Sequence, residues 1–196
     1  GASPPSGVAP DDDLCVRAAR ALQAATGARK GCHIALHKRI PQQAGRGGGS
    51  SDAATCLLAR NRLWGLALPL AQLEQVGLAL GADVPFFLRG RNAWVEGVGD
   101  HITPIDLPPQ AFVLLKPASG LNTQSVFSSP LLKRDTETAT IQGFAANTSA
   151  HVFEYGRNDL EPVARSLCPD VGAGLEWLQN RGLQGRMTGS GSAVFA

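Results

Sequence analysis

The chain has 196 residues, enough for one large or two small domains. Its hydrophobic content of 43% is typical of globular proteins, and no run of about 18 apolar residues predicts a membrane span. A net charge of +2 is too small to indicate a nucleic-acid-binding protein, and no signal segment opens the sequence, so we expect a cytoplasmic protein.

The first predicted elements are a loop and a helix. Residues 1–10 are rich in Ser, Pro and Gly, which predicts a loop. The aspartates Asp11–Asp13 then precede a helix that we expect to end near Gly27, because carboxylates stabilise the positive end of a helix dipole. One face of this helix is apolar, with Leu14, Ala18, Ala21, Leu22 and Ala25.

The glycine-rich loop Pro41–Ala54 is the feature on which the functional prediction depends. Alternation over His33–Ile40 predicts a strand before the loop, and Ala53–Arg60 predicts a helix after it. A glycine loop leading into a helix N-terminus is typical of phosphate binding, because backbone N–H groups can approach an anion closely. No Gly-Lys-Ser/Thr follows, so this is not a Walker A loop. A flexible surface turn is the alternative, but it would not need the hydroxyl pair Ser50–Ser51 and a helix directly after the glycines.

Other side chains near the loop give weaker signals. His33 and His37 share a face of the predicted strand, but two ligands without a third indicate only a weak metal site. Nearby cations could contact a polyanion, although a solvated rim or the mouth of a nucleotide pocket suits them better. These cations are Arg29, Lys30, Lys38, Arg39 and Arg46. The cysteines form no Cys-x-x-Cys pair, so we expect buried free thiols. They are Cys15, Cys32, Cys56 and Cys168.

Asp83 lies between a predicted helix and an apolar segment. Pro69 opens that helix and Gly81 ends it. We expect the apolar segment to be a strand, because Pro85 biases Val84 toward an extended conformation. From spacing alone, a turn residue is the simpler interpretation of Asp83.

Prolines mark a predicted domain boundary after the strand-like segments Asn92–Val98 and His101–Ile105. We therefore expect an N-terminal domain at 1–107 and a C-terminal domain at 108–196. In the second domain, Ala111–Leu115 predicts a buried strand.

The rest of the second domain is predicted to be irregular at first and then helical. Residues 133–150 indicate a surface connection. Helices are expected at 159–167 and 171–180. A second glycine turn, Gly189–Gly191, then leads into a final strand.

Five motifs stand in series over Asp11–Ala196. They are Gly45–Ala54, Leu80–Phe87, Glu96–Gly99 with Thr103–Pro104, Asn158–Val163 and Met187–Gly191. Together they resemble one family of small-molecule kinases, the superfamily of galactokinase, homoserine kinase, mevalonate kinase and phosphomevalonate kinase. Within it, they are similar to the branch that phosphorylates the 2-hydroxyl of 4-diphosphocytidyl-2-C-methyl-D-erythritol in non-mevalonate isoprenoid biosynthesis.

The resemblance implies a fold, a reaction and partners. It implies an α/β (α+β two-layer) fold in two incomplete domains. The N-terminal domain, 1–107, would be ribosomal-protein-S5-like and ATP-binding, and the C-terminal domain, 108–196, would be ferredoxin-like and on the substrate side. ATP would be the phosphoryl donor, and Mg²⁺ would offset the phosphate charge. We expect a monomer or weak homodimer that acts on a small molecule, with no nucleic-acid or membrane partner.

The matched positions imply residue roles. Asp83 matches the catalytic aspartate, which would accept or orient the proton of the substrate hydroxyl, so the resemblance reverses the turn interpretation. Phe127 would stack on the cytosine with Thr123 also on the substrate side, although a core phenylalanine is the alternative. Ser50 or Ser51 would reach Mg²⁺. The expected ATP-binding residues are Leu14, Lys38, Pro41, Gln42, Gln43, Ala44, Gly45, Arg46, Gly47, Gly48, Gly49, Ser50, Ser51, Gly189, Ser190 and Gly191.

Some family features do not occur in this sequence. Family members begin with an Ala-Lys-Leu-Asn-Leu segment whose lysine works with the aspartate, have a Gly-Tyr-His segment that grips the cytidine, and continue past the final strand. We therefore expect an internal fragment that is inactive or poorly folded alone. Arg46 replaces a usual apolar residue, and a cation beside polyphosphate is compatible with binding. Asp13 stands where an asparagine is common near the adenine.

Two other functions stay open. One is another small-molecule kinase of the same superfamily, against which the motif around Asp83 and Phe127 argue. The other, from a different class, is a nucleotide-binding remnant that has lost catalysis through truncation.

Overall fold

The computed structural model describes residues 9–41, 44–145 and 155–196. The chain divides into two compact units. Unit 1 comprises Gly1–Ile40 and Gly47–Asp106, and unit 2 comprises Pro41–Arg46 and Leu107–Ala196. The glycine loop therefore contributes to both units, which a division at a single sequence boundary does not anticipate.

Unit 1 begins with the predicted amphipathic helix. A short 3₁₀ turn, Pro10–Asp12, leads into helix α1, Leu14–Thr26. Asp13 caps this helix by accepting a hydrogen bond from the Cys15 N–H at 2.8 Å, and Gly27 ends it with a left-handed φ of 69°. Both boundaries confirm the prediction.

The segment after α1 is not the predicted strand. No strand is assigned over residues 33–40. Burial still alternates there, and Ile34 and Leu36 pack against the core of unit 1. Alternation shows only which side chains turn inward, whereas a strand also needs a hydrogen-bonded neighbour, and the described structure provides none.

Three further helices complete the core of unit 1. They are α2, Gly48–Leu63; α3, Leu70–Leu78; and α4, Val84–Arg89. The predicted strand after Asp83 is wrong, because this segment forms α4. Pro85 stands in the first turn of the helix, where its missing N–H costs no intrahelical hydrogen bond. Buried side chains from α1 to α4 form one cluster, including Leu22, Leu57, Leu73, Val84 and Leu88.

A hairpin follows α4, as predicted. Strands β1, Ala93–Glu96, and β2, His101–Pro104, pair antiparallel with Ala93 opposite Pro104. Its turn includes Gly97 and Gly99, which have φ values of 68° and 98°.

Unit 2 contains a small antiparallel sheet packed with helices. The strand order is β3-β5-β4, where β3 is Leu114–Leu115, β4 is Arg186–Met187 and β5 is Val194–Phe195. The helices are α5, Thr123–Phe127; α6, Ile141–Ala145; α7, Glu161–Leu167; and α8, Pro169–Gln179. Buried residues of the two long helices and the sheet form its core, including Val163, Val171, Leu178 and Val194.

The predicted buried strand at Ala111–Leu115 is wrong in its burial. Val113 exchanges backbone hydrogen bonds with Ala196 at 2.8 and 3.1 Å, so the segment pairs as expected. Phe112, Val113 and Leu114 are nevertheless exposed, because no layer of the described structure covers them. The predicted surface connection includes helix α6, and residues 146–154 lie outside the described part.

The cysteines are free, and three of them are buried as predicted. Cys15, Cys56 and Cys168 are buried, but Cys32 is exposed, which corrects the expectation for that residue. Cys32 lies between α1 and the glycine loop, where the buried Arg60 donates a hydrogen bond from Nε to its Sγ at 3.0 Å. In the described residues no helix is both long and apolar enough to cross a membrane.

Candidate functional site

Helix α2 begins inside the glycine loop with free backbone donors. Gly47 is its N-cap, with a left-handed φ of 62°, and Ser51 donates the first helical hydrogen bond to Gly47 O at 2.8 Å. In the described structure the N–H groups of Gly48, Gly49 and Ser50 meet no acceptor. Three free N–H groups at the positive end of a 16-residue helix are an arrangement that favours an anion.

Apolar side chains lie close over the loop glycines. A Cβ added to Gly47 would come within 2.5 Å of Phe87 Cε2, and one on Gly49 would come within 3.1 Å of Leu14 Cδ1. Leu14, expected near the nucleotide, therefore lies against the start of α2. Side chains at these glycines would have to displace that packing.

Asp83 lies beside the same helix start. Its Oδ2 is 3.8 Å from the position that a Cβ on Gly47 would take. The carboxylate is exposed, and in the described part of the chain it makes no hydrogen bond or ion pair. The hairpin turn supports this loop, because Gly99 packs against the carbonyl of Ala82 so closely that a Cβ would collide with it. The structure thus places an exposed carboxylate without a hydrogen-bond partner in the described residues next to the start of α2.

Lys38 is held at the first turn of α2. Its Nζ donates to Oδ2 of Asp52, and the two side chains are 19% and 34% exposed. Lys38 is predicted to lie near the nucleotide, and this ion pair holds its ammonium group at Asp52 of α2. The half-buried pair carries no net charge, so it leaves the positive potential of the helix start in place.

Unit 2 holds the other part of the glycine loop. Thr188 Oγ1 donates to Gly45 O at 2.9 Å, and a Cβ on Gly189 would lie 2.9 Å from the same oxygen. Ala44 is buried. Gly45 and the second glycine turn, Gly189–Gly191, therefore lie together. Pro41 and Arg46 are exposed, and the predicted residues Gln42 and Gln43 lie outside the described residues.

The expected substrate residues also lie in unit 2. The hydroxyls of Thr123 and Ser190 are 2.9 Å apart, so a predicted substrate residue touches a predicted nucleotide residue. Phe127 ends helix α5 with 51% of its side chain exposed, which argues against the core alternative and leaves an aromatic face open to a ligand. Arg134 Nη2 holds the Phe127 carbonyl at 2.6 Å.

Sequence reasoning missed residues that shape the site without contacting a ligand. Phe87, Gly99 and Thr188 stand in or beside the motifs that carry the resemblance, but the sequence predicts no role for them. Each acts through a contact that is distant in sequence, so periodicity and spacing give no signal. The positive φ required at Gly99 is the one local hint.

Metal-ligand side chains are not clustered in the part of the chain that the structure describes. Among the described residues no three His, Cys, Asp or Glu side chains come together as metal ligands. The hydroxyls of Ser50 and Ser51 and the carboxylate of Asp83 are hard oxygen donors, which suit Mg²⁺ carried by nucleotide phosphates rather than by a protein cage.

Comparisons with known proteins agree with this geometry. The profile of the GHMP kinases N terminal domain matches residues 13–91, and that of the GHMP kinases C terminal domain matches residues 138–196. The crystal structure of a 4-(cytidine 5'-diphospho)-2C-methyl-D-erythritol kinase superposes with a TM-score of 0.78 and 34% sequence identity, and the match covers 97% of this chain and 70% of that one. The chain belongs to the GHMP kinase family. This membership confirms the expected superfamily and the α/β two-domain class.

Two curated relatives of the chain share one name. The 4-diphosphocytidyl-2-C-methyl-D-erythritol kinase of Polaromonas sp. is 66% identical over 187 residues, covering 95% of this chain and 60% of the relative. The protein of the same name from Paracidovorax citrulli is 64% identical over 191 residues, covering 95% and 66%. The chain thus spans less than two thirds of the length of these two relatives.

Proposed function

We propose that the protein containing this chain is an ATP-dependent kinase that phosphorylates the 2-hydroxyl of 4-diphosphocytidyl-2-C-methyl-D-erythritol. The observation that carries the proposal is the pairing of three free N–H groups at the start of α2 with the unpaired carboxylate of Asp83. Phosphoryl transfer needs little more from a protein than positioning, charge stabilisation and a group that takes the proton.

The helix start suits the phosphates of ATP. The N–H groups of Gly48, Gly49 and Ser50 would donate to phosphate oxygens, and the helix dipole would stabilise their charge. A hydroxyl of Ser50 or Ser51 would help to hold Mg²⁺, which when bound would supply positive charge to offset that of the phosphates. The exposed Arg46 adds a cation to the loop.

Asp83 would act as the general base. As the substrate oxygen attacks the terminal phosphorus of ATP, the hydroxyl proton passes to the Asp83 carboxylate and the bond from that phosphorus to the ADP oxygen breaks. An exposed carboxylate without an ion-pair partner in the described structure is free to accept the proton.

Phe127 and Thr123 support a cytidine-linked substrate. An exposed aromatic ring can stack on a base, and a neighbouring hydroxyl can donate to or accept from it. The names of the curated relatives favour the same substrate over that of another GHMP kinase.

A substrate panel tests the proposal. The protein from the complete reading frame that contains this chain would be incubated with MgATP and each of four alcohols: 4-diphosphocytidyl-2-C-methyl-D-erythritol, homoserine, mevalonate and galactose. We expect a new phosphomonoester signal by ³¹P NMR, with ADP formed in equal amount, only for the first alcohol. Turnover of another alcohol would support a different kinase, and ATP binding without turnover of any alcohol would support a remnant.

A further inference from the structure

The motif Asn158–Val163 has a structural role that the proposed function leaves unused. Asn158 immediately precedes the turn into helix α7, and its carboxamide makes hydrogen bonds in two directions. Nδ2 donates to Met187 O at 3.0 Å and to Gly189 O at 2.8 Å, while Oδ1 accepts from the Leu160 N–H at 3.0 Å. One side chain therefore joins the start of α7 to the second glycine turn.

A second residue of the motif holds the same turn. Glu161 Oε2 accepts from the Met187 N–H at 3.0 Å, and Met187 is only 3% exposed. The Thr188 N–H donates to Ala193 O at 3.0 Å, which closes the base of the turn. The backbone on the N-terminal side of the turn is therefore held at the Met187 N–H, the Met187 carbonyl and the Thr188 N–H.

These hydrogen bonds set the direction in which the Ser190 N–H points. In a trans peptide the C=O and N–H point in opposite directions. Because Asn158 draws Gly189 O toward itself, the N–H of Ser190 points away from Asn158. In the described structure this N–H meets no acceptor, and the Ser190 hydroxyl is engaged with Thr123. Gly189, at a φ of 53°, provides the backbone conformation that this arrangement requires.

We propose that Asn158 is a positioning residue that holds the Ser190 N–H ready to donate to a phosphate oxygen of the nucleotide. The proposal rests on the proposed function for its nucleotide. It assigns a task to the donors on Nδ2 that is separate from the task of Oδ1 at the start of α7.

Asn158→Asp separates the two tasks. The carboxylate keeps an acceptor for the Leu160 N–H but loses both donors to the turn, and it faces two carbonyl oxygens. The matched control is Asn61→Asp in unit 1, where Nδ2 donates to Leu68 O and Oδ1 accepts from the Leu68 N–H, both at 2.9 Å. Asn61 lies in no part of the proposed site. Its variant therefore shows how kcat and KM respond when a comparable side-chain hydrogen bond is lost elsewhere in the fold.

Steady-state kinetics and NMR provide the test in the complete protein. We expect Asn158→Asp to lower kcat on the order of 10- to 100-fold while KM for the cytidine substrate changes less than about twofold. We expect Asn61→Asp to leave both constants unchanged. In ¹⁵N spectra, the Ser190 amide resonance should shift on titration with ATP in the wild type and not in Asn158→Asp.

The outcomes distinguish this proposal from the proposed function. A wild-type protein without turnover overturns the proposed function, and the Ser190 titration then still decides whether the amide meets ATP. Wild-type kcat in Asn158→Asp, or no Ser190 shift in the wild type, overturns the positioning role. If Asn158→Asp does not fold, Asn158→Ser, whose shorter hydroxyl does not span both carbonyls, is compared with the control in the same way.

Discussion

The ring of Phe87 occupies the space that a side chain at Gly47 would need. A Cβ on Gly47 would approach Phe87 Cε2 at 2.5 Å, and Gly47 also has a left-handed φ of 62°. Gly47 is thus required both by its backbone conformation and by a neighbour at the proposed phosphate position.

Gly47→Ala separates these two requirements when it is compared with Gly65→Ala. Gly65 has a φ of 68° but has nothing within 4 Å of an added Cβ. Both variants should lose about 1 kcal/mol from backbone strain. We expect Gly47→Ala to lose at least about 1 kcal/mol more and to raise KM for ATP, as measured by urea unfolding and kinetics. Equal losses in the two variants would mean that Phe87 moves aside freely.

Asp83→Asn should remove the base without disturbing the helix start. The amide keeps the size of the carboxylate but cannot take a proton at neutral pH. We expect kcat to fall by at least about 100-fold, with the Kd for ATP, measured by calorimetry, nearly unchanged. Asp106→Asn, which alters an exposed carboxylate paired with Arg91, is the control and should retain wild-type kcat. A substantial kcat in Asp83→Asn would assign the proton transfer to another group.

The Lys38–Asp52 pair should show measurable coupling. The pair is half-buried, so a double-mutant cycle with Lys38→Met and Asp52→Asn should give a coupling free energy of about 1 kcal/mol. Lys133 and Asp135, 3.9 Å apart and exposed, provide the comparison, and their coupling should be near zero. Chemical denaturation of the four proteins in each cycle measures both values. No coupling between Lys38 and Asp52 would show that solvent screens the pair fully.

Phe127→Ala should weaken binding of the cytidine substrate more than it lowers the stability of the fold. Loss of one stacked base contact typically costs about 1–3 kcal/mol, so KM for the substrate should rise on the order of 10- to 100-fold. Phe127 is 51% exposed, so the melting temperature should change little. Phe112→Ala is matched in exposure at 50% and should leave KM unchanged. An unaltered KM in Phe127→Ala would remove this residue from the substrate site.

The buried thiol pair predicts how stability depends on pH. The pKa of Cys56 is lowered from 9.0 to about 7, chiefly by a hydrogen bond from Cys15 and further by Arg60, while burial opposes the shift. The same hydrogen bond and burial raise the pKa of Cys15 above its ordinary value. Between pH about 7 and about 9, the Cys56 thiol is protonated in the unfolded chain but has released its proton in the folded chain. The free energy of unfolding should therefore rise as pH increases across this range.

Above the ordinary thiol pKa the sign reverses, because the unfolded chain then loses the Cys15 proton that the fold retains. Urea unfolding at pH values from about 6 to 10 measures this profile. Cys56→Ala should abolish the rise in unfolding free energy between pH about 7 and 9. Cys168→Ala, which removes another buried thiol, should show the same rise as the wild type. A flat profile in the wild type would contradict the lowered pKa of Cys56.

Local signals in the sequence predict much of the fold. Asp13 and Gly27 bound helix α1 where capping chemistry places them, and Pro69 precedes α3 as predicted. Two strand predictions are wrong. His33–Ile40 alternates in burial, but no neighbouring strand in the described part pairs with it. Pro85 favours an extended residue before it, but it also suits the first turn of a helix, which is the structure that forms.

The sequence predicts which residues form the candidate site, but it does not predict the contacts that hold them in place. Glycines before a helix indicate phosphate binding through local geometry alone, and the family resemblance points to Asp83. Phe87 at Gly47 and Asn158 at Gly189 are contacts between residues 40 and 31 positions apart in the sequence, for which no periodic pattern exists. The assigned site roles stay predictions until the variants above are measured.

The hydrogen bond from Thr188 to Gly45 joins positions 143 residues apart within unit 2. During synthesis at about 5–20 residues per second, the ribosome needs roughly 7–30 s to make the intervening chain. Throughout that interval the Gly45 carbonyl has no access to this donor. The glycine loop therefore completes its hydrogen bonding late in synthesis, after all residues of unit 1 have been made.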